Sequence, residues 1–268
     1  MTHLPFGNST SFIVKAFGNV HHDVAIVLGS GLGGFTKHLS DKAVLKTNEI
    51  ADYPHSTVPG HIGEIVSGSS ASKRVLAFSG RVHYYETGST IDAAVTAIIS
   101  HQLGVKNIIL TNAAGILNGK FAPGDLMLIK DHINFTFRNV LLDLKMKMPK
   151  DINPIYSEEL ARRTLKTARD NGIGLKSGIY LGLTGPSYET SAEVKFYRSL
   201  SVDAVGMSII HEATFARAVG MGVLGISCLT NYSTGITSKR LSHQEVAKIG
   251  KKVDKKFSLL LSKLVELI

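Results

Sequence analysis

A carboxylate, an aromatic ring and a hydroxyl group lie close together in the chain, between residues 181 and 212. Tyr188 and Glu189 follow an apolar run that a Gly-Pro pair ends, and Ser208 follows the next short apolar run. A capping-box pattern that starts at Thr190 begins a helix there, which leaves Tyr188 and Glu189 in a loop. Polar groups at the ends of parallel strands meet at one edge of a sheet. We therefore expect Glu189 and Ser208 to face one cleft.

A second group of side chains is suited to binding an anion. Arg81 and His83 follow a strand predicted for 74–78, and they alternate onto one side with Tyr85 if the chain stays extended. A guanidinium group offers paired donors in a fixed geometry, and an imidazole beside it can donate as well. The pattern indicates an oxyanion site. The alternative is an arginine that is only paired with Glu86.

The first strong strand, which begins at Asp23, runs into Gly29-Ser-Gly-Leu-Gly-Gly34. This matches the dinucleotide-binding pattern G-x-G-x-x-G, which also requires an acidic residue at the end of the next strand, about twenty residues on. Glu49 has that distance, but its neighbours are not typical of a strand end. A glycine turn whose backbone N–H groups and Ser30 hydroxyl hold an isolated phosphate is the favoured interpretation. A dinucleotide-dependent oxidoreductase remains an alternative.

Length and composition allow one large domain or two small ones. The chain is 44% apolar, which is enough for one sizeable α/β core. Its longest apolar runs have the length of strands and not of membrane spans, and its first residues lack the order of a signal peptide. We expect a cytoplasmic protein without a membrane partner. The single cysteine, Cys228, lies in an apolar run, which predicts a buried and inert thiol and excludes a cysteine-based metal site.

The net charge of +9 raises the possibility of a nucleic-acid partner. Much of the excess lies in lysines after residue 238, where Ser242 and Glu245 indicate the start of a terminal helix. Apolar residues recur there at three- or four-residue spacing from Val246 to Ile268, which places the lysines on the outer face. We expect a solvated face without nucleic acid, and a field that still attracts a small anion.

The order of elements predicts an α/β fold. An amphipathic helix is expected at 90–103, and further helices at 157–170 and 212–219. Strands are expected between them, one of them at 107–110, and 135–153 is expected to be a long loop or lid. Alternation of strands and helices implies a largely parallel sheet that helices flank.

Several known chemistries do not fit. The stretch Gly206-Met-Ser-Ile-Ile lacks the second glycine of an acyl-hydrolase elbow. The histidines do not show the i, i+4 pairing of a metalloprotease. What remains is anion binding at several strand ends together with a carboxylate and an amide, a combination that suits a nucleoside and phosphate.

Stretches spread over most of the chain carry a resemblance to one family. They are Val27-Leu-Gly-Ser-Gly-Leu-Gly-Gly, Ser56-Thr-Val-Pro-Gly-His61, Gly80-Arg-Val-His-Tyr-Tyr-Glu86, Thr111-Asn-Ala-Ala-Gly115, Gly124-Asp-Leu-Met-Leu-Ile-Lys-Asp-His-Ile-Asn134, Gly185-Pro-Ser-Tyr-Glu-Thr190, Asp203-Ala-Val-Gly-Met-Ser208, Thr230-Asn231 and Ser242-His243. In this order they resemble the trimeric purine nucleoside phosphorylases, a family that includes the methylthioadenosine phosphorylases. The resemblance implies a single α/β domain over residues 1–268, around a mixed, largely parallel, partly barrel-like central sheet flanked by helices.

The resemblance also implies a role for each matching position. Phosphate would be held by Ser30, His61, Arg81, His83, the backbone at Ala113 and Ser208. The nucleoside would be held by Tyr85, Tyr188, Glu189, Val205, Met207, Asn231 and His243. The catalytic groups would be His83, Glu189 and Asn231.

The implied reaction is phosphorolysis of inosine or guanosine, and of their deoxy forms, to a free purine and (deoxy)ribose 1-phosphate. Phosphate is then a co-substrate, no cofactor is needed, and the protein is a homotrimer that serves purine salvage. Methylthioadenosine phosphorylases resemble this pattern with aspartate at the position of Asn231, so that activity is one alternative. A nucleosidase that uses water and a non-catalytic purine-binding protein are two others.

Two places depart from the family pattern. The segment from Phe135 to Ile152 lacks the usual Gly-Asn-Pro-Leu type continuation, so the aromatic residue that family members extend into a neighbouring subunit's ribose site has no assigned equivalent. His211 stands where proline is common.

Overall fold

A computed structural model describes residues 4–58, 63–237 and 243–268, except for the side chains of residues 243–245 and 247. The strands are β1 (Val24–Leu28), β2 (Ser40–Lys46), β3 (Glu64–Ser70), β4 (Lys73–Ser79), β5 (Asn107–Ile116), β6 (Leu126–Asn134), β7 (Leu175–Gly182), β8 (Ala204–Gly206) and β9 (Gly222–Tyr232). The α-helices are α1 (Gly7–Phe17), α2 (Tyr84–Thr87), α3 (Thr90–Ala93), α4 (Val95–Gln102), α5 (Val140–Asp143), α6 (Glu158–Asp170), α7 (Ser191–Ser199), α8 (Ile210–Ala218) and α9 (His243–Val265). Short 3₁₀ helices occupy Gly33–His38 and Thr47–Glu49.

One sheet joins the nine strands of the described residues, in the order β2-β3-β4-β1-β5-β8-β7-β6-β9. Strand β9 also pairs with β5, so β5, β8, β7, β6 and β9 close into a ring and the other four strands extend from it. The pairs β1–β4, β1–β5, β5–β9, β6–β7 and β7–β8 are parallel, and the remaining pairs are antiparallel. The predicted mixed and partly barrel-like sheet is confirmed.

The central strands are apolar because both of their faces are covered. All five residues of β1 are buried, as are the residues from Val223 to Thr230 of β9. Strands buried on both faces form continuous apolar runs, which is why the sequence predicts them well. Strand β2 has only Leu45 buried among otherwise exposed residues, so it carries no such run and was not predicted.

The helices confirm two sequence predictions and correct a third. Helix α6 begins after Ser157, whose side chain accepts a hydrogen bond from the Leu160 N–H group. Helix α9 buries Val253 and Phe257 against the sheet. The helix predicted for 90–103 is divided into α3 and α4, and α4 is not amphipathic, because every residue from Val95 to Ser100 is buried. No helix of the described residues is both long and apolar enough to cross a membrane.

Strand β5 is longer than predicted. The expected strand ended near Leu110, whereas the pairing of β5 with β9 continues to Ile116 with an irregularity between Ala114 and Gly115. The polar and small residues from Thr111 to Gly115 therefore belong to a strand at the open end of the sheet.

Candidate active site

An open cleft lies over the ends of β1, β4, β5, β8 and β9. Its volume is about 770 Å³ when the space at its mouth is included. It brings together eleven of the residues predicted from the sequence: Ser30, Arg81, His83, Tyr85, Ala113, Tyr188, Glu189, Val205, Met207, Ser208 and Asn231. Two other predicted residues lie outside the description, His61 because residues 59–62 are not described and His243 because its side chain is not.

The sheet register explains why distant residues meet. Gly115 of β5 pairs with Val205 of β8 on one side and with Asn231 of β9 on the other. A Cβ atom at Gly115 would lie 3.3 Å from Val205 Cγ1 and 3.7 Å from Asn231 Nδ2. Closure of the ring of strands therefore places the Val205 side chain and the Asn231 amide next to each other.

Close packing accounts for the glycine pattern after β1. A Cβ atom at Gly29 would lie 2.6 Å from the Cα atom of Asn112, and one at Gly34 would overlap the carboxylate of Asp254 in α9. Gly31 has φ +76°, a conformation that glycine adopts at little cost. Strand β2, which follows, pairs antiparallel with β3, so Glu49 does not end a parallel strand of the sheet. The glycines position Ser30 at the cleft and do not form a dinucleotide fold.

Arg81 is held by a buried carboxylate from another part of the chain. Its Nε atom lies 3.1 Å from Glu212 Oε2, and the side chains of Arg81 and Glu212 are 2% and 1% exposed. Its Nη1 atom donates to the Thr111 carbonyl oxygen at 2.6 Å, and Thr96 Oγ1 donates to Glu212 Oε1 at 2.7 Å. The guanidinium plane is thus fixed where it borders the cleft.

Glu86 pairs with His83, and the alternative pairing of Glu86 with Arg81 is wrong. Glu86 Oε1 lies 2.9 Å from His83 Nδ1 and accepts the His83 backbone N–H at 2.8 Å. This capping box starts α2, so the chain does not stay extended after residue 83. The His83 ring stacks on Tyr85, with ring centroids 4.9 Å apart. A carboxylate therefore orients an imidazole that borders the cleft.

The Glu86 carboxylate also accepts hydrogen bonds from the loop at residues 56–58. Ser56 Oγ and the Thr57 backbone N–H both donate to Glu86 Oε2. Burial by itself would raise the pKa of Glu86, but the hydrogen bonds from His83, Thr57 and Ser56 outweigh it and lower the pKa to about 2.

We expect Glu86→Gln to lower the free energy of unfolding by about 2 kcal/mol near neutral pH, because hydrogen bonds to a charged acceptor contribute roughly 1.5–3 kcal/mol. The pKa of Glu86 is lower in the folded protein than in the unfolded chain, so the folded form binds fewer protons. Its stabilisation is complete above the ordinary carboxyl pKa and is lost as the pH falls toward about 2. Urea unfolding of both proteins at neutral and at acidic pH measures this difference.

Glu193→Gln is the matched control. Glu193 is the corresponding residue of the Thr190 capping box, but its side chain is exposed. We expect a clearly smaller destabilisation there. Equal effects of the two substitutions, or an effect of Glu86→Gln that persists unchanged at acidic pH, would contradict the role assigned to Glu86.

Tyr85 and Met207 both line the cleft and lie close to the same glycine. A Cβ atom at Gly185 would lie 2.5 Å from Met207 Sδ and 2.8 Å from Tyr85 Cδ1, so both side chains pack on that glycine. Burial raises the pKa of Tyr85 to about 12, and the neighbouring Glu86 carboxylate adds to this. The Tyr85 phenol is therefore neutral at physiological pH and presents an apolar ring with one polar end.

Glu189 is an acidic group in the wall of the cleft. Only 7% of the residue is exposed, although it follows the half-exposed Tyr188. Burial raises the pKa of its carboxyl group, which a hydrogen bond from its own backbone partly offsets. A ligand that donates hydrogen bonds to this carboxylate would relieve the cost of burying its charge.

The Asn231 amide is oriented by its neighbours. Thr230 Oγ1 donates to Asn231 Oδ1 at 2.8 Å, and Asn231 Nδ2 donates to the Tyr232 carbonyl oxygen at 3.2 Å. An amide nitrogen carries two hydrogens, so Nδ2 retains a second donor for the cleft. Glu189 and Asn231 together offer acceptors and a donor to a flat heterocycle.

Three residues that support the site were given no role there from the sequence: Glu212, Thr111 and Thr230. Thr230 was within reach of sequence reasoning, because a hydroxyl next to a functional amide can bond to it locally. Glu212 was named only as the start of a helix, and 131 residues separate it from Arg81. Among the described residues, no group of three or more His, Cys, Asp or Glu side chains is placed to hold a metal ion.

Comparisons with known proteins agree with this geometry. The model of the phosphorylase superfamily matches residues 23–266. Purine nucleoside phosphorylase 1 of Bacillus subtilis is 41% identical over 247 residues, which cover 90% of this chain and 91% of the relative. The solved structure of Schistosoma mansoni purine nucleoside phosphorylase in complex with inosine superposes with a TM-score of 0.89 at 28% identity, over 97% of this chain and 95% of that one. The same organism's enzyme in complex with adenosine gives a TM-score of 0.89 at 29% identity, over 96% and 95% of the chains.

The family predicted from the sequence motifs is thereby confirmed. This chain belongs to the phosphorylase superfamily and, within it, to the purine nucleoside phosphorylase family.

Proposed function

We propose that this protein is a purine nucleoside phosphorylase. It transfers the ribosyl or deoxyribosyl group of inosine or guanosine to inorganic phosphate, which releases the purine base and leaves (deoxy)ribose 1-phosphate. One observation carries the proposal: a single cleft is lined both by Arg81, Ser30 and Ser208, which we call the anion end, and by Glu189 and Asn231, which we call the base end. The phosphate needs the first set, and the purine needs the second.

The anion end binds phosphate. Arg81 is a fixed cation, and the hydroxyl groups of Ser30 and Ser208 and the Ala113 backbone provide further hydrogen-bonding groups around the same space. His83, held by Glu86, borders this end and completes the set. His61, by its place in the sequence motif, is assigned to the same end.

The middle of the cleft binds the sugar. Tyr85 and Met207 pack together there, so the ribose lies against a ring and a thioether. His243 is assigned to the 5′-hydroxyl by its place in the motif. Cleavage of a glycosidic bond passes through an oxocarbenium-like state, and phosphate held below the sugar stabilises its positive charge.

The base end stabilises the departing purine. Asn231 donates to N7 or O6, where negative charge develops, and Glu189 in its ionised form accepts the N1–H of hypoxanthine or guanine and the 2-amino group of guanine. Tyr188 and Val205 pack beside the base. Adenine presents a lone pair at N1 to the carboxylate, so adenosine is the poorer substrate.

We propose further that the protein acts as a cytoplasmic homotrimer in purine salvage and needs no cofactor. Phe135, Phe137 and Phe196 support the assembly, because they form an aromatic cluster in which Phe137 is 79% exposed and Phe196 51% exposed. Exposed apolar clusters of this kind are typical of protein interfaces. Light scattering measures the mass in solution.

The experiment that tests the function follows inosine with and without phosphate. We expect hypoxanthine and ribose 1-phosphate to form only when phosphate is present. Base release without phosphate would favour the nucleosidase, and binding without base release would favour a purine-binding protein. Methylthioadenosine as the preferred substrate would favour the other branch of the family.

A further inference from the structure

The turn between β8 and α8 contains a strained residue. Ile209 has φ 73° and ψ −44°, and the Ile210 N–H donates to the Ser208 carbonyl oxygen at 2.9 Å, which closes a three-residue γ-turn around it. A β-branched residue at positive φ is rare, because its Cβ atom crowds the backbone. Ile209 is 1% exposed, so burial of its side chain offsets the strain. Strain of this kind persists where the surrounding structure holds it in place.

A buried tyrosine lies directly under this turn. Tyr180 of β7 is 0% exposed, and its hydroxyl accepts a hydrogen bond from the Ser208 backbone N–H at 3.4 Å. A Cβ atom at Gly206 would lie 2.6 Å from the Tyr180 hydroxyl oxygen, so only glycine allows the tyrosine to approach. The Tyr180 hydroxyl therefore interacts with the backbone and the side chain of Ser208, a residue that also lines the cleft.

The turn also joins two parts of the anion end. Ser208 precedes Ile209, and Glu212, which holds Arg81, lies in the first turn of α8 immediately after it. Ile210 packs on Gly182, where a Cβ atom would lie 2.2 Å from Ile210 Cγ1. A change in the turn would move the Ser208 hydroxyl and the partner of Arg81 together.

From these contacts we propose that Tyr180 and Ile209 are positioning residues for the phosphate end of the cleft. This inference rests on the proposed function and deepens it. The γ-turn at Ile209, held by the Tyr180 hydroxyl, sets the position of Ser208 in the cleft that Arg81 also lines. Neither residue touches phosphate. Their effect is geometric, since a displacement of about 1 Å in a site of this kind can cost roughly 100-fold in rate.

Tyr180→Phe tests the hydroxyl, with Tyr156→Phe as the matched control. Both tyrosines are buried and neither lines the cleft, but the Tyr156 hydroxyl bonds to His132 at 2.9 Å, whereas the Tyr180 hydroxyl bonds to Ser208. We expect Tyr180→Phe to raise KM for phosphate about 10-fold and to change KM for inosine less than about 2-fold, because only the phosphate end is disturbed. Tyr156→Phe should leave both constants unchanged.

Ile209→Gly and Ile209→Ala test the turn. Both remove the same packing to within one methyl group, but glycine adopts positive φ without strain and alanine does not. We expect the glycine variant to keep KM for phosphate within about 3-fold of wild type and the alanine variant to raise it about 10-fold or more. This order is the reverse of the usual one, in which alanine stabilises a folded backbone better than glycine does.

The outcomes separate this inference from the function itself. If the wild-type protein releases no base in the presence of phosphate, the proposed function fails. If the wild type is active but Tyr180→Phe has the same KM for phosphate as Tyr156→Phe, or Ile209→Ala matches Ile209→Gly, the positioning role fails and the function stands.

Discussion

Arg81→Ala is expected to lower kcat/KM for phosphate by about 100- to 1000-fold, the range found when a fixed donor to a developing anion is removed. The guanidinium is fixed by Glu212 and the Thr111 carbonyl before any ligand arrives, so phosphate meets a preorganised cation. KM for inosine should change far less. Phosphate titrations at saturating inosine measure the effect.

The same substitution should also destabilise the protein. It leaves the Glu212 carboxylate buried without its cation, and breaking a buried ion pair in this way costs roughly 3–5 kcal/mol. Loss of activity in Arg81→Ala alone would therefore have two causes. The double variant Arg81→Ala/Glu212→Gln separates them, because the neutral amide still accepts the Thr96 hydrogen bond and no charge stays buried. We expect most of the stability to return and phosphorolysis to stay low.

Arg74→Ala provides the control. Arg74 donates to Ser67 and Ser69 in the same sheet and does not line the cleft. Its loss should leave KM for phosphate unchanged. An unaltered KM for phosphate in a folded Arg81 double variant would refute the assignment of Arg81 to the anion end.

Local signals in the sequence predicted the elements that depend on local energy. The Thr190–Glu193 capping box marks the start of α7, and the apolar run after Asp23 becomes β1. Such patterns fix hydrogen bonds or burial within a few residues, so they can be read without the fold. Strand β2 shows the limit, because it gains its pairing from β3 while all of its side chains except that of Leu45 stay in solvent.

The partners of the cleft residues could not be predicted in this way. Arg81 has Glu86 close in sequence, yet it pairs with Glu212, because Glu86 turns back to cap α2 through His83. The choice depends on how α8 packs beside β5, which no local pattern encodes. The set of cleft residues came from resemblance to a family, and the register of β5 with β8 and β9 gives its physical reason.

Asn231→Asp is expected to shift the ratio of kcat/KM for inosine over adenosine by at least about 100-fold toward adenosine, since sites that hydrogen-bond one pattern reject an analogue lacking it by about 10⁴ or more. The Asn231 amide can donate to the 6-oxo group or N7, whereas an ionised aspartate only accepts and suits a 6-amino group. The hydrogen bond from Thr230 to Oδ1 is retained, so the new carboxylate keeps its orientation.

Glu189 limits how much adenosine activity the Asn231→Asp substitution alone can add. With Asn231→Asp alone, the Glu189 carboxylate still faces the N1 lone pair of adenine without a proton between them. Adding Glu189→Gln supplies an amide donor to N1 and removes a carboxylate whose pKa burial already raises. We therefore expect adenosine phosphorolysis to increase from wild type to Asn231→Asp and again in the double variant. The assay has to measure turnover of adenosine and not its binding alone, because the structure of a related enzyme contains bound adenosine. A ratio that stays at the wild-type value in both variants would show that Glu189 and Asn231 do not select the base.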